Sequence, residues 1–559
     1  MKIFVSLIFF ILSFTSLSFC QEYSEVRDIL NKYGEAKILV KADKTDLDTL
    51  SKIASIDRKI QNEYLVYVNK KQFNQFLTLG LDYKPFTEER NPKALQVANT
   101  IEQMKTWEYY PSYQVYLDLM QSFAQDFPEI CRLDTIGISN NNRLILSLKI
   151  NSDNNPYKPK FFYSSTMHGD ELTGYVVLLH LADYILNAHQ EDNYIENLLS
   201  KVQIYICPLA NPDGVYAGGD NNVSRSTRYN ANYVDLNRNF PNPVLGQHPD
   251  GEAHQIETLS FMQYALQEDF DVSINIHTGA EVCNYPWDCW ESHQSIHPDK
   301  NWFINICEEF VNTARNSAGS NYFTDVSSNG IILGGDWYKI YGSRQDWQTW
   351  YTKAREITLE VSTEKTPSSH LLPNYWNYLK DGLIEFIDNS LVGVEGLIKD
   401  ITNNQAINSA TIEVENLDNE NSITYSNSEG YYFRPLLAGN YNIKIHAENY
   451  QDTTFTINIT DNSTLLKDIY LSPSLTSTQD LNTIEDKISI YPNPCKDKLY
   501  VNIDEFTYYS ISNIQSHTYL SGSIEKNTNT IDVSPLKAGV YIISLYSNKI
   551  NQRNIFIKQ

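Results

Sequence analysis

Phe161-Phe162-Tyr163-Ser164-Ser165-Thr166-Met167-His168-Gly169-Asp170-Glu171 is an apolar, strand-forming run that stops at two side chains able to donate to a metal. A helical pattern follows over 173–186, so His168 and Glu171 fall at the C-terminal end of a predicted strand, three residues apart, and can converge on one point. Outward from this stretch, apolar strands are predicted at 161–164, 202–207, 272–276 and 357–361, with a second helical pattern at 254–267. Alternation of this kind through 100–388 predicts an α/β domain with a mostly parallel or mixed sheet and helices on both faces. Open sheets of that type carry their sites at the C-terminal strand ends.

Other candidate groups fall at the ends of neighbouring predicted strands. His277 ends the strand at 272–276. Two imidazoles and one carboxylate leave a fourth tetrahedral position open, which is the donor set of a catalytic rather than a structural zinc. His-x-x-Glu alone is weak, since such residues after a strand more often cap or hydrogen-bond. Asn211-Pro212-Asp213-Gly214 follows the strand at 202–207, and Asp235-Leu236-Asn237-Arg238-Asn239-Phe240-Pro241 comes next. Glu360 lies inside the apolar strand Ile357-Thr358-Leu359-Glu360-Val361, where an unpartnered carboxylate is costly. It is either half of a buried ion pair or an acid/base group with a raised pKa.

The 559 residues exceed one core, and about two to four domains are expected. A formal charge of −24 excludes a nucleic-acid partner, because no basic excess exists to displace counterions. Residues 1–20 place Lys2 before an apolar run ending in Ser18, Phe19 and Cys20, the layout of a signal peptide. No later segment is long and apolar enough to span a bilayer, so a secreted or cell-surface protein is expected. Cys283 and Cys289 either close a small disulfide loop or remain unpaired thiols. Residues 21–95 read as a small α+β segment, with strands at 36–40 and 64–68, helix-like stretches at 46–56 and 71–79, and a linker at Asn91-Pro92-Lys93. From Leu391 the helical patterns stop, and two all-β modules are expected at 392–471 and 484–559, joined through 472–483.

Taken together, residues 100–388 resemble a zinc metallocarboxypeptidase of the regulatory (carboxypeptidase N/E/D-like) branch, with the motifs in the family's order. The resemblance implies the zinc carboxypeptidase fold, one Zn²⁺ held by His168, Glu171 and His277, and Glu360 as the proton shuttle. It implies Arg225 as the group that steadies the oxyanion, with Arg228 three residues on able to take the same part. Asn237 and Arg238 match the pair that grips a terminal carboxylate, and Tyr338 the tyrosine that closes over the bound end. Asp288 and its companion Gln345 match residues that accept a basic side chain, implying peptides or proteins ending in Lys or Arg as substrates. Residues 21–95 stand where the family often carries a propeptide. The module at 392–471 resembles the transthyretin-like β-sandwich of regulatory carboxypeptidases, and 484–559 resembles the sorting domain read by the type IX secretion machinery. The rivals are a zinc amidohydrolase or deacylase, a cell-wall peptidase of the same fold, and an inactive binding or adhesion protein.

Overall fold

The computed structural model describes residues 21–559 apart from 88–91, 154, 247–250, 420, 462, 475–488, 504–506, 513–517, 525–529 and 548–550. The expected signal peptide, Asn91 of the linker and most of the junction at 472–483 therefore lie outside the described residues. Residues up to 472 form one compact unit and residues 473–559 another.

After a helix over residues 21–33, the first unit carries β1 (Glu35–Val40), β2 (Ser55–Ile60), β3 (Glu63–Asn69) and β4 (Tyr83–Phe86), an antiparallel sheet in the order β2-β3-β1-β4. Helices Lys44–Leu50 and Lys70–Leu77 start at capping boxes on Asp43 and Asn69. The helix-like stretch expected at 46–56 is shorter in the structure. It stops at Leu50, and Ser55 begins β2, where Ser55 to Ile60 pair with β3 instead of continuing the turns. After the short ribbon β5 (Val97–Ala98) and β6 (Tyr110–Pro111) comes the central sheet.

Its eight strands are β7 (Cys131–Ile138), β8 (Leu144–Ile150), β9 (Lys160–Ser165), β10 (Gln203–Cys207), β11 (Val272–His277), β12 (Ala280–Tyr285), β13 (Ile331–Leu333) and β14 (Arg355–Ser362), in the order β13-β12-β14-β11-β9-β10-β8-β7. The middle strands β10, β9, β11 and β14 run parallel, while β12 and the β7–β8 pair add antiparallel edges. This is the mixed sheet expected for the α/β region. Successive strand residues face opposite sides, and β9 shows what each side meets. Phe161 packs on Phe386 of helix Leu372–Ser390, whereas Phe162 packs on Phe261 and Tyr264 of helix Ile256–Glu268. Helices thus cover both faces. From β9 the chain crosses to β10 on one side, and β11 lies on the other, so the crevice of the sheet opens at the C-terminal end of β9.

A β-sandwich follows from Gly393–Asp400 to Ile469–Leu471, with two four-stranded sheets around Ile398, Ile412, Ile443 and Leu471. It is tied to the α/β part by buried charge. Asp299 accepts from Arg355 Nη2 at 2.8 Å and from Arg434 Nη2 at 2.6 Å, and Arg434 also meets Asp418 at 2.5 Å. The second unit is all β, a three-stranded and a four-stranded sheet around Leu499, Val501, Ile543 and Phe556. Among the described residues no helix is long and apolar enough to cross a membrane.

Candidate metal centre and substrate cleft

The turn after β9 carries His168 and Glu171, and the last residue of β11 is His277, two neighbouring strand ends. Gly169 permits this turn to lie against the next loop, since a Cβ there would sit 2.4 Å from the Gly214 backbone. His168 Nδ1 lies 2.9 Å from Glu171 Oε1, His277 Nδ1 lies 2.9 Å from Glu171 Oε2, and the two ring nitrogens are 3.1 Å apart. All three side chains are buried, and their donor atoms lie within 4.8 Å of one another. Two imidazole nitrogens crowded onto one carboxylate are a poor hydrogen-bonding set but a good ligand set. Two nitrogens and an oxygen with one side open fit a zinc ion.

The protonation states agree with that use. Burial pushes His277 down to about 4, which keeps the ring neutral at physiological pH. Burial opposes ionisation of Glu171, yet the neighbouring His168, Lys365 and His277 side chains hold its carboxyl well below the usual range. Asp235 Oδ1 stands 3.2 Å from His168 Nε2. An ionised carboxylate can only accept, so this contact puts the ring proton on Nε2 and leaves Nδ1 free as a ligand.

Asp57, Arg228, Asn237, Arg238, Asn284, Asp288, Tyr338 and Glu360 line the same cavity as His168, Glu171 and His277. Glu360 is in register with His277 across β11 and β14, and its Oε2 has no hydrogen-bond partner. Burial, then the charge on Glu171, pushes its carboxyl well above the ordinary value. Asn237 Oδ1 accepts from Arg344 N at 2.9 Å, which turns the amide nitrogen to the cavity. Gln345 donates from Nε2 to Asp288 Oδ1 at 3.0 Å, so the expected companions do touch.

Arg225 is the residue that the fold does not bring in. Its side chain is exposed, with its Cβ against Gly218, and it is not among the residues lining the cavity. Arg228 takes the place. Its carbonyl accepts from Gly169 N at 3.1 Å, which clamps the chain beside the His168 turn, and its Nη1 reaches to 3.6 Å from Glu171 Oε1. Burial opposes the Arg228 charge, but Asp235, Asp57 and Glu171 hold it firmly protonated.

Three further residues were missed at the level of sequence. Asp235 stood inside a quoted motif without a role. Lys365 donates to Glu171 Oε1 at 2.8 Å and pairs with Asp57 at 2.5 Å, and no local signal marked it. Asp57 belongs to β2 of the N-terminal sheet. Around it, Ser55 Oγ donates to Asp235 Oδ2 at 2.6 Å, Arg238 Nη2 donates to the Ile56 carbonyl at 3.3 Å, and the Tyr338 hydroxyl donates to the Asp57 carbonyl at 2.8 Å. The start of β2 therefore lies in the cleft. The six cysteines from Cys131 to Cys495 are buried and free, so the unpaired alternative describes Cys283 and Cys289.

Comparison with known proteins matches residues 116–381 to the zinc carboxypeptidase family, 393–472 to the carboxypeptidase regulatory-like domain and 489–559 to the secretion system C-terminal sorting domain. Carboxypeptidase D of Mus musculus is 31% identical over 366 residues, 63% of this chain but 26% of that protein. The chain thus spans about a quarter of the length of the carboxypeptidase D relatives it matches, 26% for the mouse protein. Carboxypeptidase M of Mus musculus is 32% identical over 339 residues, which cover 58% of this chain and 75% of that protein. Among solved structures, carboxypeptidase A from Helicoverpa armigera aligns with a TM-score of 0.46 at 18% identity, over 63% of this chain and 98% of the other. The donor set at the strand ends, the regional family matches and the identity to carboxypeptidase M lead to one statement: the chain belongs to the zinc carboxypeptidase family.

Proposed function

We propose that this protein is an exported zinc-dependent carboxypeptidase that removes single residues from the C-termini of peptides or proteins, with a preference for Lys and Arg. The observation that carries the reading is the joint lining of one cavity by the His168, Glu171 and His277 donors, the Asn237–Arg238 pair, Tyr338 and Asp288. A guanidinium beside an amide demands a free terminal carboxylate, because a carboxylate fills the guanidinium fork and an internal peptide bond does not.

His168, Glu171 and His277 would hold the zinc, and Asp235 orients His168. When bound, the ion supplies a Lewis acid that polarises the scissile carbonyl and acidifies the attacking water. Glu360 takes a proton from that water at its unpartnered Oε2 and passes it to the departing amine. Arg228 stabilises the oxygen charge that develops on the carbonyl. Arg238 and Asn237 bind the terminal carboxylate, Tyr338 covers it, and Asp288 with Gln345 receives the basic side chain.

The N-terminal segment acts as a cover. Ile56 occupies Arg238, and Asp57 occupies Tyr338, Lys365 and Arg228, groups that the bound substrate end and its carbonyl would use. The C-terminal unit serves as the address for the export machinery, and the regulatory-like β-sandwich is structural.

The test is hydrolysis of two blocked dipeptides, ending in Arg and in Phe, by the zinc-loaded chain before and after proteolytic release of the N-terminal segment, with and without a chelator. Chelator-sensitive release of Arg over Phe is expected. Release of Phe alone would discard the Asp288 pocket, and release of neither would return the protein to the deacylase or inactive-binder readings.

A further inference from the structure

Behind the Asp288 loop stands a second buried carboxylate that the proposed reaction does not use and that does not itself line the cavity. Asp346 lies in the short helix Arg344–Trp347, fully buried. Its Oδ1 accepts from Asp288 N at 2.8 Å and its Oδ2 from Cys289 N at 2.9 Å, so it grips both amides of the loop that presents Asp288. Asp288 itself is 2% exposed and accepts from Gln345 Nε2 at 3.0 Å and Asn284 Nδ2 at 3.2 Å. Gly334 packs directly on it, since a Cβ there would fall 2.0 Å from Asp288 Oδ1.

Among the described residues, neither carboxylate forms an ion pair. The charged groups that bear on Asp288 are Arg238 from the turn Leu236–Arg238, Glu356 from β14 and Asp346 itself; Asn284 of β12 and Ser343 contribute only neutral dipoles. Two neighbouring buried carboxylates, with no ion pair of their own and an Arg238 guanidinium already bonded to the Asn237 and Ile56 carbonyls, cannot both ionise cheaply. Burial pushes Asp288 up to about 6, and burial with the charge of Asp288 pushes Asp346 up to about 8. These are properties of the pair, which holds a proton towards neutral pH until a cation arrives.

We propose that Asp346 is a positioning residue of this pocket, which fixes the Asp288–Cys289 loop through both its amides and, as a second buried carboxylate behind Asp288, makes the preference for a basic C-terminal residue increase with pH. The inference rests on the reading of Asp288 as the acceptor of the basic side chain. Its sign follows from the raised carboxyls. At low pH the pair is neutral and offers an Arg side chain no counter-charge, and the attraction appears as pH rises and Asp288 ionises.

The measurement is the ratio of kcat/KM for the Arg-ending over the Phe-ending dipeptide from pH 5 to 9, on whichever form of the zinc-loaded chain, intact or proteolytically released, turns over the Phe substrate. Taking the ratio cancels titrations at the metal centre and at Glu360, which both substrates share. In the natural chain the ratio should climb by roughly tenfold or more. Asp346→Asn, which keeps one of the two amide bonds and removes the second charge, should shift the midpoint of that climb to lower pH. A flat ratio in the natural chain overturns the inference with no variant needed, and an unmoved midpoint in Asp346→Asn overturns the role of Asp346. Asp288→Asn separates the two levels. If it leaves the Arg/Phe ratio unchanged, the Asp288 reading fails and this inference with it; if it abolishes the preference while the natural ratio is flat, this inference alone fails.

Discussion

The Tyr338 hydroxyl donates to the main-chain oxygen of Asp57 at 2.8 Å, so a tyrosine of the substrate cleft is bonded to a strand from a separate N-terminal sheet. That bond, with Arg238 on the Ile56 carbonyl and Lys365 on the Asp57 carboxylate, sets the start of β2 on groups that the proposed reading gives to the substrate end.

Proteolytic release of the N-terminal segment should therefore raise kcat/KM on a blocked dipeptide by at least about tenfold, the factor expected when fewer than one molecule in ten is open beforehand. Asp57→Ala in the full chain should move activity in the same direction, because it unpairs Lys365 and Arg228 from the cover. Equal activity before and after release would show that β2 does not govern access.

Glu360→Gln keeps the shape of the side chain and removes its ability to take a proton. A loss in kcat of about 10²- to 10⁴-fold is expected, with zinc retained at one equivalent by metal analysis. Turnover near the natural rate would assign the proton transfer to another group.

Arg225→Ala should leave kcat unchanged, since the side chain is exposed away from the cavity. Arg228→Ala should lower kcat by about 10²- to 10³-fold, the usual cost of one lost oxyanion donor. Because Arg228 also pairs with Asp235 at 2.8 Å, a thermal melt should accompany the kinetics, and Arg228→Lys should recover folding before it recovers rate.

Asp235→Asn is isosteric but can present a donor to His168 Nε2, which favours the tautomer with the proton on Nδ1. Zinc affinity should fall by about 10- to 100-fold in chelator competition. An unchanged affinity would mean that His168 is oriented by its turn alone.

The strand–helix alternation around Phe161–Glu171, the order of the donors and the placement of Glu360 were legible in the sequence, because each is a local pattern. Continuous apolar runs end where the parallel strands end, and His168 follows, while His277 and Glu360 lie on, strands that the sheet makes neighbours. The choice between Arg225 and Arg228 was not legible. Both lie in an irregular segment with no period to say which side faces inward, and the Gly169–Arg228 main-chain bond together with the Arg228–Asp235 ion pair turns Arg228 to the site. The strand at Ser55–Ile60 escaped as well, since its polar residues carry no alternation until pairing with β3 makes it a strand. The roles of Asp57, Lys365 and Asp346 depend on partners far away in the chain. Composition and spacing thus determined which chemistry this chain can hold. Tertiary packing decided which arginine faces it, which carboxylate stands behind Asp288, and that its own N-terminal strand enters the cleft, because burial and charge pairing exist only after distant segments have met.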